Sequence, residues 1–484
     1  MSGDEGQAPS PFDIEVRTMV YDELHLLGIP LPEDILKVKG FGDYARLDRM
    51  LQRRIADENL PEFLRARLRL EREIIKRIPR EYPYDTAGAL ALLASELDGF
   101  TAEELDDYVN AGKVDFIYLN GEMRFHRLFL SNLIKTRPEL APRVLNPERL
   151  AYKKQNFAAL DAVIREMKAN GGAARRWHVR HTLQIRPERC REGREILVHL
   201  PLPVEYDCVE NFRLLDCGPV EGFVSDAPQR TIAFRKPLAR DDVFFAEYVF
   251  DVRMKYRTPD PALEPYSPVR EFDAAQAREY LGEQPPHIAF TPAVRALAQE
   301  INARTPSTLR TARRIYDFLT TRPIYSYVRS YFTYPGLTDH MLTAMKGDCG
   351  IFALAFITLC RYHGIPARWQ SGLYCAPHDV GSHDWAQFYC YPWGWLPVDV
   401  SFGNAAWHNG DRERWDFFFG NMDPFRLPAA RQFQSPFDPP KRFLRSDPYD
   451  NQNGEAEYAD EGLLSRDFIE KCTLLDWQAL PAES

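Results

Sequence analysis

The sequence predicts an α+β protein in which helices come first, a β-sandwich follows, and a mixed helix-and-sheet core carries the chemistry. Three observations predict it. Apolar residues recur at helical spacing through the first third of the chain. They alternate with polar residues between about 173 and 258. Beyond that, an apolar run starting at Cys349 is followed by three short strand-like segments.

Residues from about 15 to 170 read as helical. Leu47, Met50, Leu51 and Ile55 share one helix face, as do Leu64, Leu68, Ile75 and Ile78. Thr101 and Glu104 form the pattern of a capping box. This stretch reads as a packing module without chemistry. From Trp177 the period changes to two: Val179, His181, Leu183 and Ile185 continue it, and so do Ile196–Pro203 and Tyr248, Phe250, Val252 and Met254. His178, His181 and His199 fall in these strands with no Cys or carboxylate beside them in sequence, and read as packing or surface residues. Residues 257–290, rich in Pro, Asp and Glu, read as a linker, and helical spacing returns from Pro292 to Leu319. The expected division is a helical region over 1–172, a β-sandwich over 173–258, a catalytic core over 259–428 and a polar C-terminal extension over 429–484. Within that extension Asp447–Gly454 faintly matches a calcium loop. Placing Gly454 at the sixth loop position puts Tyr449 where an Asp is required, so a surface turn is the expectation.

A chain of 484 residues is long enough for more than one domain, and 45% hydrophobic with 27% charged residues is an ordinary globular composition. The net charge of -9 argues against nucleic acid or an anionic membrane as the main partner. The basic run Arg65–Arg77 is interrupted by Glu71 and Glu73 and reads as a solvated helix face. The first residues lack the basic and apolar regions of a signal peptide, and no run approaches the roughly 18 apolar residues of a membrane helix. The expected location is therefore cytoplasmic. Eight cysteines without a CxxC pair read as free thiols, with no structural zinc and no cofactor. Oligomeric state is left open.

The chemistry lies between 347 and 399. Asp348 suits a helix N-cap, an apolar run follows, and Gly364 with Pro366 ends it. Cys349 thus falls in the first turn, where the helix dipole and unpaired N–H groups favour a thiolate and an oxyanion beside it. Cys360 falls three turns on and reads as a core residue. Ala367–Tyr374, His383–Tyr391 and Trp395–Val400 read as strands, the last two forming an antiparallel hairpin. With a loop over 390–394, Asp399 faces Trp385 and lies diagonal to His383. A carboxylate there fixes the imidazole tautomer, and the imidazole takes the proton of a thiol docked against the sheet. A lone Cys at a helix start or a lone strand His is more often structural; it is the conjunction that points to acyl transfer.

These residues resemble the transglutaminase-like superfamily, whose fold is papain-like. Gly347-Asp348-Cys349, Arg361-Tyr-His-Gly-Ile-Pro-Ala-Arg368, His383-Asp-Trp385 and Gly394-Trp-Leu-Pro-Val-Asp399 follow its pattern in order. The Leu200-Pro-Leu-Pro203 segment is similar to the sandwich that precedes this core in bacterial members. The resemblance implies Cys349 as nucleophile, His383 as general base and acid, and Asp399 as its orienter. It also implies an aromatic oxyanion helper, for which Tyr325 matches best and Tyr327 and Tyr331 compete. Gln387 stands where many members carry Glu, which bears on substrate contacts, and Trp385 belongs to the same group of substrate-side candidates. His363, His378 and His408 match nothing and read as surface or loop residues. Trp369, Tyr374, Trp393 and Trp407 are expected to line the cleft.

The expected function is a cysteine-dependent enzyme hydrolysing an amide bond in a peptide or protein through a thioester. A cross-linking or amine-incorporating transglutaminase shares the same acyl-enzyme. A binding or scaffold protein that keeps the fold without turnover is the alternative of another class, set against an intact Cys–His–Asp set. An arylamine acyltransferase fits the Gly-Ile-Pro-Ala-Arg and His-x-Trp details less well.

Overall fold

The computed structural model describes residues 22–146, 148–264, 272–301, 304–377 and 379–481. His378 lies outside them.

The N-terminal region is helical as its spacing predicts, with its longest fully described helix at Glu62–Glu81. It also holds a small hairpin, Phe116–Leu119 against Glu122–Phe125. It is not a free-standing module. Leu70, Ile74 and Ile78 enter one core with Ile351, Phe352 and Leu359 of the later helix.

The sandwich has two sheets of five and four strands. Alternation produces it: Trp177, Val179, Leu183 and Ile185 bury one face of Gly172–Ile185. The C-terminal segment departs from its reading as a polar extension. Glu455–Tyr458 pairs with Glu195–Pro201, and Phe468–Leu480 runs antiparallel along nearly the whole of Gly172–Ile185. Phe468–Leu480 is an outer strand that mixes polar and apolar residues on its exposed positions, and a bulge between Leu474 and Asp476 breaks its alternation. The three strand histidines do have partners across the sheet: His178 with Glu247 at 2.8 Å, His181 with Glu470, and His199 with the Thr231 hydroxyl at 2.9 Å. Each is paired separately, and among the described residues no group of His, Cys, Asp or Glu is placed to hold a metal.

The core inserted between these strands has a four-stranded antiparallel sheet in the order Gly394–Val398, Asp379–Cys390, Ala367–Ala376, Arg426–Ala430. The helix Cys349–Tyr362 packs against it, buried on every side beyond its first residue except at Tyr362. Gly364 follows in the left-handed conformation (φ 78°) that lets the chain leave the helix. The stretch read as a linker is partly structural, since it holds the helix Ala274–Leu281, and Glu264 accepts the N–H groups of Thr308 and Leu309 and caps the later helix Thr308–Thr321.

Residues 447–454 are not a surface turn. Tyr449, Asp450, Asn451 and Gln452 are all buried. Tyr449 bonds His287 at 2.7 Å, and Asn451 donates to the carbonyls of Arg230 and Ala429. Asp447 accepts the Tyr449 N–H, so residues that suggest a solvated turn here bond backbone groups, while Gln452 donates to a side chain, Asp384. All eight cysteines are free thiols, and no described helix is long and apolar enough to cross a membrane.

Candidate active site

Asp348 caps the helix: its carboxylate accepts the Ile351 N–H at 3.3 Å and the Tyr331 hydroxyl at 2.6 Å. Burial raises its pKa to about 6. Cys349 follows as the first helical residue. Gly350 must lack a side chain, because a Cβ there would lie 2.2 Å from the Tyr331 hydroxyl and 2.8 Å from an Asp384 oxygen.

Just upstream, Lys346–Gly347 pairs in parallel with Ile324–Tyr325. That pairing brings Tyr325 beside Cys349. The Tyr325 ring stacks on Phe352, and the Lys135 ammonium lies 3.6 Å from its centre. Of the competing tyrosines, Tyr331 is committed to Asp348, and Tyr327 stands 37% exposed on the wall of a cavity beside the site.

His383 and Asp399 meet as their spacing requires. His383 Nε2 lies 2.7 Å from Asp399 Oδ2, with both side chains buried. The hairpin register pairs Ala386 with Val398, which sets Asp399 opposite Trp385. Asp399 is not itself a strand residue: the strand ends at Val398, and Asp399 caps the helix Val400–His408 by accepting the Phe402 N–H at 2.9 Å. Capping fixes the carboxylate more firmly than an open strand edge does. Its Oδ2 also receives Arg426 Nη1 at 2.9 Å. Burial opposes its charge, but His383 and Arg426 outweigh burial and hold the carboxyl well below the usual range.

The Cys349 sulfur rests against the strand at Asp384. The thiol donates to Asp384 Oδ2 at 3.6 Å. No hydrogen bond joins Cys349 to His383 among the described residues. The free site therefore holds a joined His–Asp pair and a thiol parked on the next residue of the same strand. With Nε2 held by Asp399, a bond from His383 to the sulfur would have to use Nδ1. Bonds of this kind are often long in unliganded sites and tighten with substrate. Burial first, and Asp384 second, push the Cys349 thiol up. Asp384 is raised too, by burial and then by Asp348 and Asp447.

Three residues without a predicted role belong to this site. Arg426 has no exposed surface and bridges Asp399 to Asp423, donating to the latter at 2.6 Å and 3.3 Å. Asp384 lies inside the His-x-Trp element but has no part in its pattern. Gln452, on the buried segment 447–454, donates to Asp384 Oδ1 at 2.6 Å. Only the antiparallel pairing of Arg426–Ala430 with Ala367–Ala376 brings Arg426 in, and no sequence spacing encodes that.

The substrate-side candidates separate. Trp385 is 2% exposed; its ring stacks beside His383 and its N–H donates to Gln370, so it supports the imidazole. Gln387 is buried and accepts the Arg368 guanidinium at 2.6 Å, so it contacts a neighbouring strand and not the cavity. Of the four expected cleft aromatics, Tyr374 lines the cavity with His383. Trp369 is buried against Phe433, Trp393 packs on the core, and Trp407 packs on Trp415. His363 ends the nucleophile helix half-buried, and His408 lies 3.3 Å from the Pro323 carbonyl.

Residues 295–400 match the family model of the transglutaminase-like superfamily. The chain carries a transglutaminase-like core. That superfamily includes cysteine-dependent enzymes. Among solved structures the chain is similar to a candidate cysteine protease from Cytophaga hutchinsonii, at 17% identity and TM-score 0.38 over 63% of this chain and 91% of that one. It is similar also to the periplasmic domain of TgpA from Pseudomonas aeruginosa, at 15% identity and TM-score 0.28 over 52% and 95%. A candidate protease from Parabacteroides distasonis matches at 13% identity and TM-score 0.20 over 46% of each chain. No curated protein matches.

Proposed function

We propose that this transglutaminase-like protein hydrolyses an amide bond in a peptide or protein through a Cys349 thioester. The observation that carries the reading is the 2.7 Å His383–Asp399 pair set beside a cysteine at the first turn of a buried helix. Asp399, fixed by Arg426 and the Phe402 N–H, holds the His383 tautomer that leaves Nδ1 to accept a proton. His383 takes the thiol proton as Cys349 attacks the carbonyl carbon. The tetrahedral oxyanion meets the Tyr325 hydroxyl and the N–H groups of the helix start. The amide C–N bond breaks, the amine leaves with the proton from His383, and water activated by the same imidazole resolves the thioester.

Stoichiometric iodoacetamide at neutral pH, read by peptide mass spectrometry, tests the activated thiol. Selective modification of Cys349 over Cys360 and Cys472, lost in His383→Ala, is the expected result. Labelling of Cys349 no faster than Cys472, or unaffected by His383→Ala, sinks the proposal.

A further inference from the structure

A cavity of about 400 Å³ opens beside His383, a size that suits a ligand group rather than a few waters. His383 and Tyr325 both line it, so it adjoins the reacting atoms. One wall is the helix Val400–His408, through Phe402 and Ala405. The opposite wall comes from the N-terminal helical region, through Ile134, Ala141 and Phe157, all outside the segment that matches the family.

Its polar lining groups already have partners. Ser401 donates to Asp399 at 2.9 Å, Arg414 pairs with Asp161 and Asp411, and Asn409 donates to the Ala405 carbonyl at 2.8 Å. The Lys135 ammonium lies over the Tyr325 and Tyr327 rings. A polar group entering this space gives up water and gains little, whereas an apolar group gains its full transfer free energy.

We propose that this cavity is the subsite for an apolar side chain flanking the cleaved amide, and that the N-terminal helical region sets its size. The inference rests on Cys349 acting as the acyl-forming nucleophile. It gives the N-terminal region a role in substrate selection that its packing pattern alone does not reveal.

The test uses two ester series on the full chain. In p-nitrophenyl acetate, butyrate and hexanoate the acyl group lengthens. In 4-alkylphenyl acetates of growing alkyl length the leaving group does. In at least one series kcat/KM rises roughly threefold to fourfold per methylene, the factor for burying one CH₂. A rise with acyl length places the side chain on the acyl side, and a rise with leaving-group length places it on the amine side. A flat response in both overturns the inference. Ala141→Trp fills the cavity from an exposed position and should cut the long-to-short ratio of the responding series at least about tenfold, as two to three buried methylenes imply. Phe157→Ala should lower the same ratio, and an unchanged ratio in both variants also overturns it. Absence of any acyl-enzyme burst that depends on Cys349 removes the nucleophile itself, an outcome distinct from a working burst with no length preference.

Discussion

Replacing Arg426 with Met tests how the His383–Asp399 pair is held. The Arg426, Asp399 and Asp423 side chains all have 0% exposure, and Arg426 is the cation between the two carboxylates. Removing one partner of a buried ion pair costs about 3–5 kcal/mol, because the remaining charge is left without a counter-charge. Asp399 keeps His383, Ser401 and the Phe402 N–H. Asp423 keeps the Phe425 N–H at 3.0 Å but loses the guanidinium that bonds both of its oxygens. The expected loss is therefore about 3–5 kcal/mol for the site as a whole and not twice that, since Asp399 retains most of its support. The pH dependence has a definite sign. The folded-state pKa of Asp399 is depressed, so its stabilisation is present at neutral pH and is lost as pH falls through the folded value. Taking away Arg426 raises that folded value, so the gap between wild type and variant is full at pH 7 and narrows below about pH 4. Urea unfolding followed by tryptophan fluorescence at pH 7.5 and pH 3 measures both. A loss below about 1 kcal/mol at pH 7.5, or a gap that stays constant into acid, refutes the reasoning.

Three further outcomes follow from the thiol's surroundings. Asp348→Asn keeps acceptors for the Tyr331 hydroxyl and the Ile351 N–H, and removes a carboxyl whose pKa is raised to about 6. A raised acid favours folding below its unfolded pKa and loses that contribution as pH rises through the folded one, so the Asn variant gains about 3 kcal/mol at pH 7.5 and nothing at pH 3.5, as paired urea titrations will show. Gly350→Ala brings a methyl to 2.2 Å from the Tyr331 hydroxyl, and should cost about 1–3 kcal/mol and slow Cys349 alkylation; unchanged stability and labelling would contradict the close packing. Asp384→Asn, isosteric between Cys349 and Gln452, should speed Cys349 alkylation at pH 7 about threefold to tenfold and move its pH midpoint down, because the carboxyl that disfavours the thiolate is gone.

The candidate catalytic residues were legible because the signals that mark them are local. Cys349 needs only an N-cap and an apolar run, and the His383–Asp399 pair needs only one hairpin. What stayed hidden depends on pairing across long separations. Cys472 lies opposite His181, and nothing in 468–480 names that partner. Arg426 reaches Asp399 through a strand pairing and not through a spacing. The segment 447–454 misleads for a different reason: the residues that make turns in water also satisfy backbone groups in a core.

The late strand Phe468–Leu480 carries a consequence for synthesis. Its partner, Gly172–Ile185, leaves the ribosome nearly three hundred residues earlier, and the nucleophile helix lies between them. Domains fold as they emerge, N-terminal parts first. Here the first sheet waits for an edge that arrives late, and Gln452, which braces Asp384 beneath the thiol, arrives with it. A nascent chain stopped before residue 450 has its cysteine, histidine and aspartate but neither the closed sandwich nor the brace, so the candidate site is complete only when the sandwich is.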